Sequence, residues 1–164
     1  MNNIPTRPLL LVAESAQTSM STAAAHSHPD ETGGILIGVY LDGQPWVTRA
    51  IELHSDDRGR HHYRIPAGVT QPAVHQARTL DGRLGYLGDW HSHPADVGPS
   101  HTDLATLAFI SLTRPRTPNP TLVIARRQGD RYLLDARRIT ALSPRTCEIR
   151  LTGDLPHPRH AEEP

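Results

Sequence analysis

Short apolar runs, each ended by a turn signal, recur along this chain of 164 residues and restrict the folds that it can adopt. Asp42-Gly43 separates two of these runs and predicts a tight hairpin turn. The predicted strands cover residues 35–41, 46–53, 63–65, 84–90, 121–126 and 132–136, and the predicted helices cover residues 14–25, 67–80 and 100–112. Strands and helices mixed in one unit of this size predict a single domain with an α/β or α+β fold.

The core of such a domain has to be aliphatic, because the chain contains only 1 Phe and 2 Trp residues. Leucine, isoleucine, valine and alanine must therefore supply most of the buried surface. This is feasible at the given length, since a chain of about 150 residues buries roughly 70% of the surface that it exposes when unfolded.

Charge, cysteine content and hydropathy exclude several classes of protein. The 17 basic residues are all arginine and balance 17 acidic residues, so the basic excess of a nucleic-acid-binding protein is missing. Cys147 is the only cysteine, which excludes a disulfide framework and a thiolate zinc site. No apolar run approaches the roughly 18 residues of a membrane span. Residues 1–8 lack the pattern of a signal peptide, so we expect a cytoplasmic location.

The candidate chemistry lies in the segment WHSHPADVGPSHTD, residues 90–103. In an extended strand residues i and i+2 point the same way, so His91 and His93 can present two imidazoles to one metal ion. Ser100 and Asp103 form a Ser-x-x-Asp pattern that resembles a helix start and brings both to the first helical turn. Two histidines, one carboxylate and an open fourth position are the usual catalytic zinc arrangement, which predicts one zinc ion per chain.

A zinc site of this kind also needs a general base. Zinc lowers the pKa of water toward about 7, and the base is usually a carboxylate that does not ligate the metal. Glu31 is the best candidate, because it lies two residues before the run GGILIG, at the entry to a buried strand. Glu14 and Glu52 have no such setting.

These segments together resemble a known motif. Glu31-Thr-Gly-Gly-Ile-Leu-Ile-Gly, then His91-Ser-His-Pro, then Pro99-Ser-His-Thr-Asp103, is similar to the JAMM motif of the JAB/MPN/Mov34 metalloproteases, in the form found in prokaryotic JAB proteins. The resemblance covers about residues 9–142. Six residues separate the second histidine from the serine, where the family usually has seven.

The resemblance implies a single MPN/JAB domain with a mixed central β-sheet flanked by helices. We place this domain at residues 9–152, after an N-terminal extension at 1–8. Residues 153–164 are proline-rich and polar, which predicts a disordered tail.

The resemblance also implies a role for each site residue. His91, His93 and Asp103 would bind Zn²⁺, Glu31 would deprotonate the attacking water and pass the proton to the leaving amine, and Ser100 would hydrogen-bond the oxyanion. The implied reaction is zinc-dependent hydrolysis, by an isopeptidase or peptidase, of the bond after the C-terminal tail of a ubiquitin-like or sulfur-carrier-like protein. An E1/E2-like conjugation system is the implied partner, and no nucleic acid or membrane is expected. His28 and Trp90 are candidates for the substrate cleft.

Several features have simpler interpretations. The tetrapeptide His-Ser-His-Pro also occurs at residues 26–29, but no Ser-x-x-Asp follows it, so we expect no metal there. The polar segment at residues 54–62 is interpreted as a solvated loop. Two other functions stay open: a non-catalytic MPN scaffold, and a RadC-like JAB protein linked to DNA metabolism. Metal analysis would identify the first, and a salt-dependent DNA shift would identify the second.

Overall fold

The strands of the protein form one mixed sheet in a computed structural model that describes residues 6–158. The strands are β1 (Leu9–Ala13), β2 (Gly33–Leu41), β3 (Gln44–Glu52), β4 (Gly85–His93), β5 (Thr121–Gln128), β6 (Arg131–Thr140), β7 (Ser143–Thr146) and β8 (Glu148–Thr152). Part of the predicted extension (residues 1–5) and of the predicted tail (residues 159–164) lies outside the described residues. Within the described part, no helix is long and apolar enough to cross a membrane.

The sheet has the strand order β7-β6-β5-β4-β2-β3-β1-β8. Strand β1 pairs in parallel with β3 and with β8, and β4 pairs in parallel with β5. The remaining neighbours pair antiparallel. The prediction of an α/β or α+β domain with a mixed central sheet is confirmed.

Three helices within the described residues cover the sheet, namely α1 (Glu14–Ser27), α2 (Thr70–Leu80) and α3 (His101–Thr113). Because side chains alternate along a strand, neighbouring residues of β2 reach different helices. Leu36 packs with Met20 of α1, whereas Ile35 packs with Ala77 of α2. A third cluster joins Leu107 of α3 to β5 and β6. The helices α2 and α3 therefore lie across the sheet from α1.

The expected aliphatic core is confirmed. Apart from Trp90, the largest fully buried side chains are leucine, isoleucine, valine and methionine. The only phenylalanine, Phe109 of α3, is 65% exposed, so the aromatic part of the core comes mainly from Trp90 and Tyr132.

Most predicted elements occur within a few residues of their expected bounds, and the differences concern one predicted strand and two edge strands. At the turn between β2 and β3, Asp42 and Gly43 both have positive φ angles (49° and 77°), as a type I′ hairpin requires. The predicted strand at 63–65 is wrong, since only an isolated bridge between Arg58 and Tyr63 forms there. Strands β7 and β8 were not predicted: β7 is a polar edge strand of 4 residues, and β8 has only two apolar residues, Ile149 and Leu151, in an edge strand of 5 residues.

A bulge in β4 sets the two faces of the strand that carries the histidines. The pairing with β2 shifts so that Leu36 faces Gly88 while Ile37 faces Tyr86, which leaves Leu87 as the extra residue. Gly88 has a φ of 150°, and a Cβ there would lie 1.8 Å from the carbonyl oxygen of Thr121. The bulge lets Leu87 and Trp90 join the same core cluster below α1. Such bulges re-aim side chains beside functional sites.

Candidate active site

Four ionisable side chains converge at the carboxyl end of β4. The Nε2 atom of His91 lies 3.1 Å from Oδ1 of Asp103, and Nε2 of His93 lies 3.5 Å from Oδ2 of the same carboxylate. On the other side, Oε1 of Glu31 lies 3.9 Å from Nε2 of His93. Glu31, His91 and His93 are 5%, 9% and 6% exposed, so the group is largely shielded from solvent.

The two histidines lie on one side of β4. They are two residues apart in an extended strand, and their ring centroids are 5.1 Å apart. The Nδ1 atom of His93 is 2.8 Å from the carbonyl oxygen of Val97, in the loop that follows the strand. Because a carbonyl only accepts, Nδ1 carries the hydrogen, which leaves the lone pair of neutral His93 on Nε2, facing Asp103 and Glu31.

Asp103 reaches the imidazoles from the first turn of α3. Ser100 is the N-cap of this helix, and its Oγ accepts a hydrogen bond from the backbone N–H of Asp103 at 3.1 Å. In return, the N–H of Ser100 donates to Oδ2 of Asp103 at 2.6 Å. This reciprocal capping box fixes the carboxylate. It forms although the loop between His93 and Ser100 has six residues where the family usually has seven.

Glu31 enters from the segment before β2. Its N–H donates to the carbonyl oxygen of Gly59 at 2.8 Å, in the loop between β3 and α2. Gly33 follows at the start of β2, where a Cβ would lie 2.8 Å from Cβ of His91 and 2.7 Å from the ring of Tyr63. Only glycine allows β2 to approach this closely, and this approach brings Glu31 beside the histidines.

Burial and the neighbouring charges shift the ionisation of three of these groups. Burial raises the pKa of Glu31, although His91 and His93 oppose the shift. For Asp103, burial opposes ionisation, but hydrogen bonds from both imidazoles outweigh it and hold the pKa well below its usual range. For His93, burial disfavours the charged form, yet the hydrogen bonds with Asp103 and Val97 raise its pKa overall. Of the two carboxyl groups, Glu31 therefore has the greater affinity for a proton.

The group opens into a cleft of about 1190 Å³ between the loop of residues 54–66 and α3. Trp90 borders the cleft, but it is 1% exposed and packs in the core cluster below α1. His28 lies outside the lining, and its Nε2 accepts a hydrogen bond from Arg127 at 3.1 Å. The lining also includes residues that sequence reasoning did not single out, such as Phe109 and Asp89. The sequence did carry a signal for the α3 side of the cleft. Residues 101–113 are mostly apolar, and Asp103 is the only aspartate, glutamate or arginine among them.

One group of side chains within residues 6–158 has the spacing of a metal site with at least three histidine, cysteine or acidic ligands. Glu31, His91 and His93 each offer a ligand atom, and these atoms lie within 4.8 Å of one another. The loop of residues 54–62 carries only exposed pairs, such as His62 with Asp57 at 3.1 Å. Burial raises the pKa of Cys147 to about 11, so this residue stays a thiol at neutral pH.

Two buried imidazoles between two carboxylates, at the end of a strand in a mixed sheet, define a candidate metal centre of the hydrolase type. Comparison with known proteins agrees. The family model of the prokaryotic homologs of the JAB domain (Prok-JAB) matches residues 13–139, and the chain belongs to this family.

Two relatives carry functional names. The chain is 32% identical to a protein of Sinorhizobium fredii named "Probable metalloprotease y4qB" over 122 residues, which are 71% of this chain and 74% of that protein. It is 31% identical to a protein of Pseudomonas aeruginosa named "CD-NTase/cGAS isopeptidase" over 97 residues, which are 57% of this chain and 61% of that protein. These names support a hydrolase role at the level of the family.

A solved structure supports the fold. Protein DSY2949 from Desulfitobacterium hafniense superposes with a TM-score of 0.73 over 93% of this chain and 99% of its own length. The two sequences are 23% identical, so this likeness concerns the fold alone.

Proposed function

We propose that this protein is a zinc-dependent isopeptidase or peptidase that hydrolyses the bond after the C-terminal tail of a ubiquitin-like protein. The observation that carries the proposal is the position of Asp103, whose two oxygens lie 3.1 Å and 3.5 Å from the Nε2 atoms of His91 and His93. A second carboxylate, Glu31, lies on the other side of His93. Ligands and base are thus separate groups, as metal-assisted hydrolysis needs.

We assign His91, His93 and Asp103 as the zinc ligands. Tetrahedral ligands bound at about 2.05 Å lie about 3.3 Å apart, and the two distances to Asp103 bracket this value. Glu31 is close enough to ligate as well, but its 3.9 Å separation from His93 leaves it outside this spacing. The Nδ1–H of His93 is taken up by Val97, which supports a ligating Nε2.

Zinc, when bound, would polarise the scissile carbonyl and lower the pKa of water toward about 7. Glu31 then acts as the general base. Burial raises its pKa, which strengthens it as a proton acceptor and lets it return the proton to the leaving amine. Its 5% exposure limits exchange of this proton with bulk solvent.

Ser100 is assigned to the oxyanion that forms when water attacks. Its Oγ already accepts a hydrogen bond from the N–H of Asp103, so its own hydrogen is free to donate. Because the capping box fixes this hydroxyl on the first turn of α3, the donor is preorganised beside the ligand.

A protein tail is the substrate class that we favour. The relative named an isopeptidase points to a protein substrate, and the cleft opens between a loop and a helix rather than closing around a small molecule. Ubiquitin-like and sulfur-carrier-like proteins are the candidates from the resemblance of the motif, with an E1/E2-like system as a candidate partner. We further propose that the enzyme acts in the cytoplasm.

The test combines metal analysis with one substitution at the base. We expect one zinc per chain, inhibition by a chelator, and recovery on adding zinc. Glu31→Gln should keep the zinc and lower kcat by about 10²- to 10⁴-fold, while the control Glu14→Gln, in the first turn of α1, should retain activity. Full activity of Glu31→Gln would refute the assigned base. A wild-type protein without stoichiometric zinc would favour the non-catalytic scaffold.

A further inference from the structure

We infer that Ser92 is a positioning residue for Glu31, acting through Thr32. This inference rests on the proposed function, in which Glu31 is the base. Ser92 lies between His91 and His93, and because side chains alternate along a strand it points to the opposite face of β4. It is 2% exposed and takes no part in the proposed metal site.

The hydroxyl of Ser92 replaces a backbone acceptor where β2 leaves the sheet. The pairing between β2 and β4 ends with Gly33 opposite His91. In a regular antiparallel ladder, every second facing pair exchanges two backbone hydrogen bonds. One residue further on, the N–H of Ser92 donates to the carbonyl oxygen of Thr32 at 2.7 Å, but the N–H of Thr32 donates to Oγ of Ser92 at 3.0 Å. The side chain of Ser92 therefore sets the path of the chain at Thr32.

The hydroxyl of Thr32 adds a third attachment. Its Oγ1 donates to Oε1 of Glu52, at the end of β3, at 2.6 Å. Thr32 is 2% exposed, and its N–H, carbonyl and hydroxyl are all bonded to neighbouring strands. The adjoining residue, Glu31, is held on its other side by its bond to Gly59. These attachments hold the backbone on both sides of the point from which the Glu31 side chain extends toward His93.

Removal of the Ser92 hydroxyl would leave the buried N–H of Thr32 without its acceptor. An unsatisfied buried donor is costly, so the chain is expected to shift until the N–H finds another partner. The base would move with it relative to His93, and a displacement of about 1 Å can cost about 10²-fold in rate. The histidines stay on β4, which keeps its pairing with β5, so zinc should remain bound.

The first experiment separates positioning of the base from support of the metal. Zinc content and steady-state rates would be measured on a fluorescent peptide whose lysine ε-amine carries a diglycine-ending branch. For Ser92→Ala we expect kcat to fall about 10- to 100-fold, with KM within about twofold and one zinc retained. The matched control is Ser111→Ala, near the end of α3. It removes a hydroxyl that donates to the carbonyl oxygen of Pro118, and it should keep the wild-type rate. Wild-type kcat in Ser92→Ala, or loss of its zinc, would overturn the inference.

A pair of variants at Thr32 tests the third attachment of this segment, the hydroxyl bonded to Glu52, and also serves if Ser92→Ala does not fold. Thr32→Val removes the hydroxyl bonded to Glu52 and should lower kcat, whereas Thr32→Ser keeps the hydroxyl and should restore most of it. A merely structural role would lower thermal stability in both variants without this split in kcat. Equal rates in the two variants would contradict the role of Thr32.

A second measurement does not depend on activity. Amide hydrogen exchange reports local opening, so exchange at Thr32 should be at least about tenfold faster in Ser92→Ala, with Ile124 of β5 unchanged. If the wild-type protein had no peptidase activity, the proposed function would be refuted. The inference would still be tested, because the exchange rate at Thr32 decides whether Ser92 holds this residue. Unchanged exchange at Thr32 would overturn the inference.

Discussion

The chain contains His-Ser-His-Pro twice, at residues 26–29 and 91–94, and the two copies have opposite settings. The first copy ends α1, and both of its histidines are exposed. The second copy ends β4, where the histidines are 9% and 6% exposed. Four identical residues thus give a solvent-facing helix end in one place and the centre of the candidate site in the other.

Backbone geometry explains part of this difference. In a strand, residues i and i+2 share a face, whereas a helix of 3.6 residues per turn separates them by about 200°. Long-range partners explain the rest. The second copy meets the carboxylate of Asp103 from α3, while the first meets the guanidinium of Arg127, which donates to His28. A cation beside an imidazole disfavours a metal ion at the same place.

The largest expected effect comes from removing one histidine of each copy. His91→Ala should release the zinc and lower kcat/KM by about 10³-fold or more, because water activation and carbonyl polarisation are lost together. The matched variant His26→Ala removes an exposed imidazole in the last turn of α1 and should leave both unchanged. Zinc analysis and hydrolysis of the branched peptide check both variants. Loss of zinc in His26→Ala would remove the distinction between the copies.

A smaller effect than that of His91→Ala is expected from removing the hydroxyl of Ser100. Ser100→Ala should lower kcat by about 10²-fold, because one oxyanion donor is lost, and should also destabilise the fold by about 1 kcal/mol through the lost N-cap. Ser100→Thr keeps both the cap and the donor and should recover most of the rate. Ser27→Ala, in the first copy, should match wild type. Rate assays with thermal melts measure these outcomes, and a Ser100→Ala enzyme at wild-type speed would refute the assigned donor.

Local rules made much of the fold and site predictable from the sequence. The period of a strand predicted that His91 and His93 share a face, and the Ser-x-x-Asp pattern predicted the helix start at Ser100. Both rules need only a few neighbouring residues. The aliphatic runs predicted the central strands in the same way, because buried strands must be apolar. The assigned roles of these residues remain predictions until the variants are measured.

Long-range pairing was beyond such rules. Glu31 lies 60 residues before His91 in the sequence, and only the close approach at Gly33 brings them together. Its place before the buried run GGILIG made Glu31 the best candidate for the base, and the resemblance to a known motif agreed with this choice, but spacing alone could not place it beside the histidines. Likewise, the bulge at Gly88 appears only when β2 and β5 are in place, and Tyr63, predicted in a strand, instead packs against Gly33.

The pH dependence of zinc binding should also distinguish the second His-Ser-His-Pro copy, at residues 91–94, from the first. The pKa of His93 is raised in the metal-free protein, and zinc has to displace that proton. Below this pKa, affinity should therefore fall about tenfold per pH unit, one proton being released per metal ion. Competition with a coloured chelator between pH 5 and pH 8 measures this slope. An affinity that is flat across this range would contradict the displaced proton.

The smallest effect is expected at His28, which the sequence made a candidate for the substrate cleft. His28 is exposed, lies outside the cleft lining, and accepts one hydrogen bond from Arg127. Since exposed pairs contribute little, His28→Ala should cost at most about 0.5 kcal/mol, or about 1–2 °C in Tm, with zinc, kcat and KM unchanged. Arg127→Ala breaks the same bond and should behave alike. A rise in KM in His28→Ala but not in Arg127→Ala would show that this imidazole contacts the substrate, and would make the first copy part of the site.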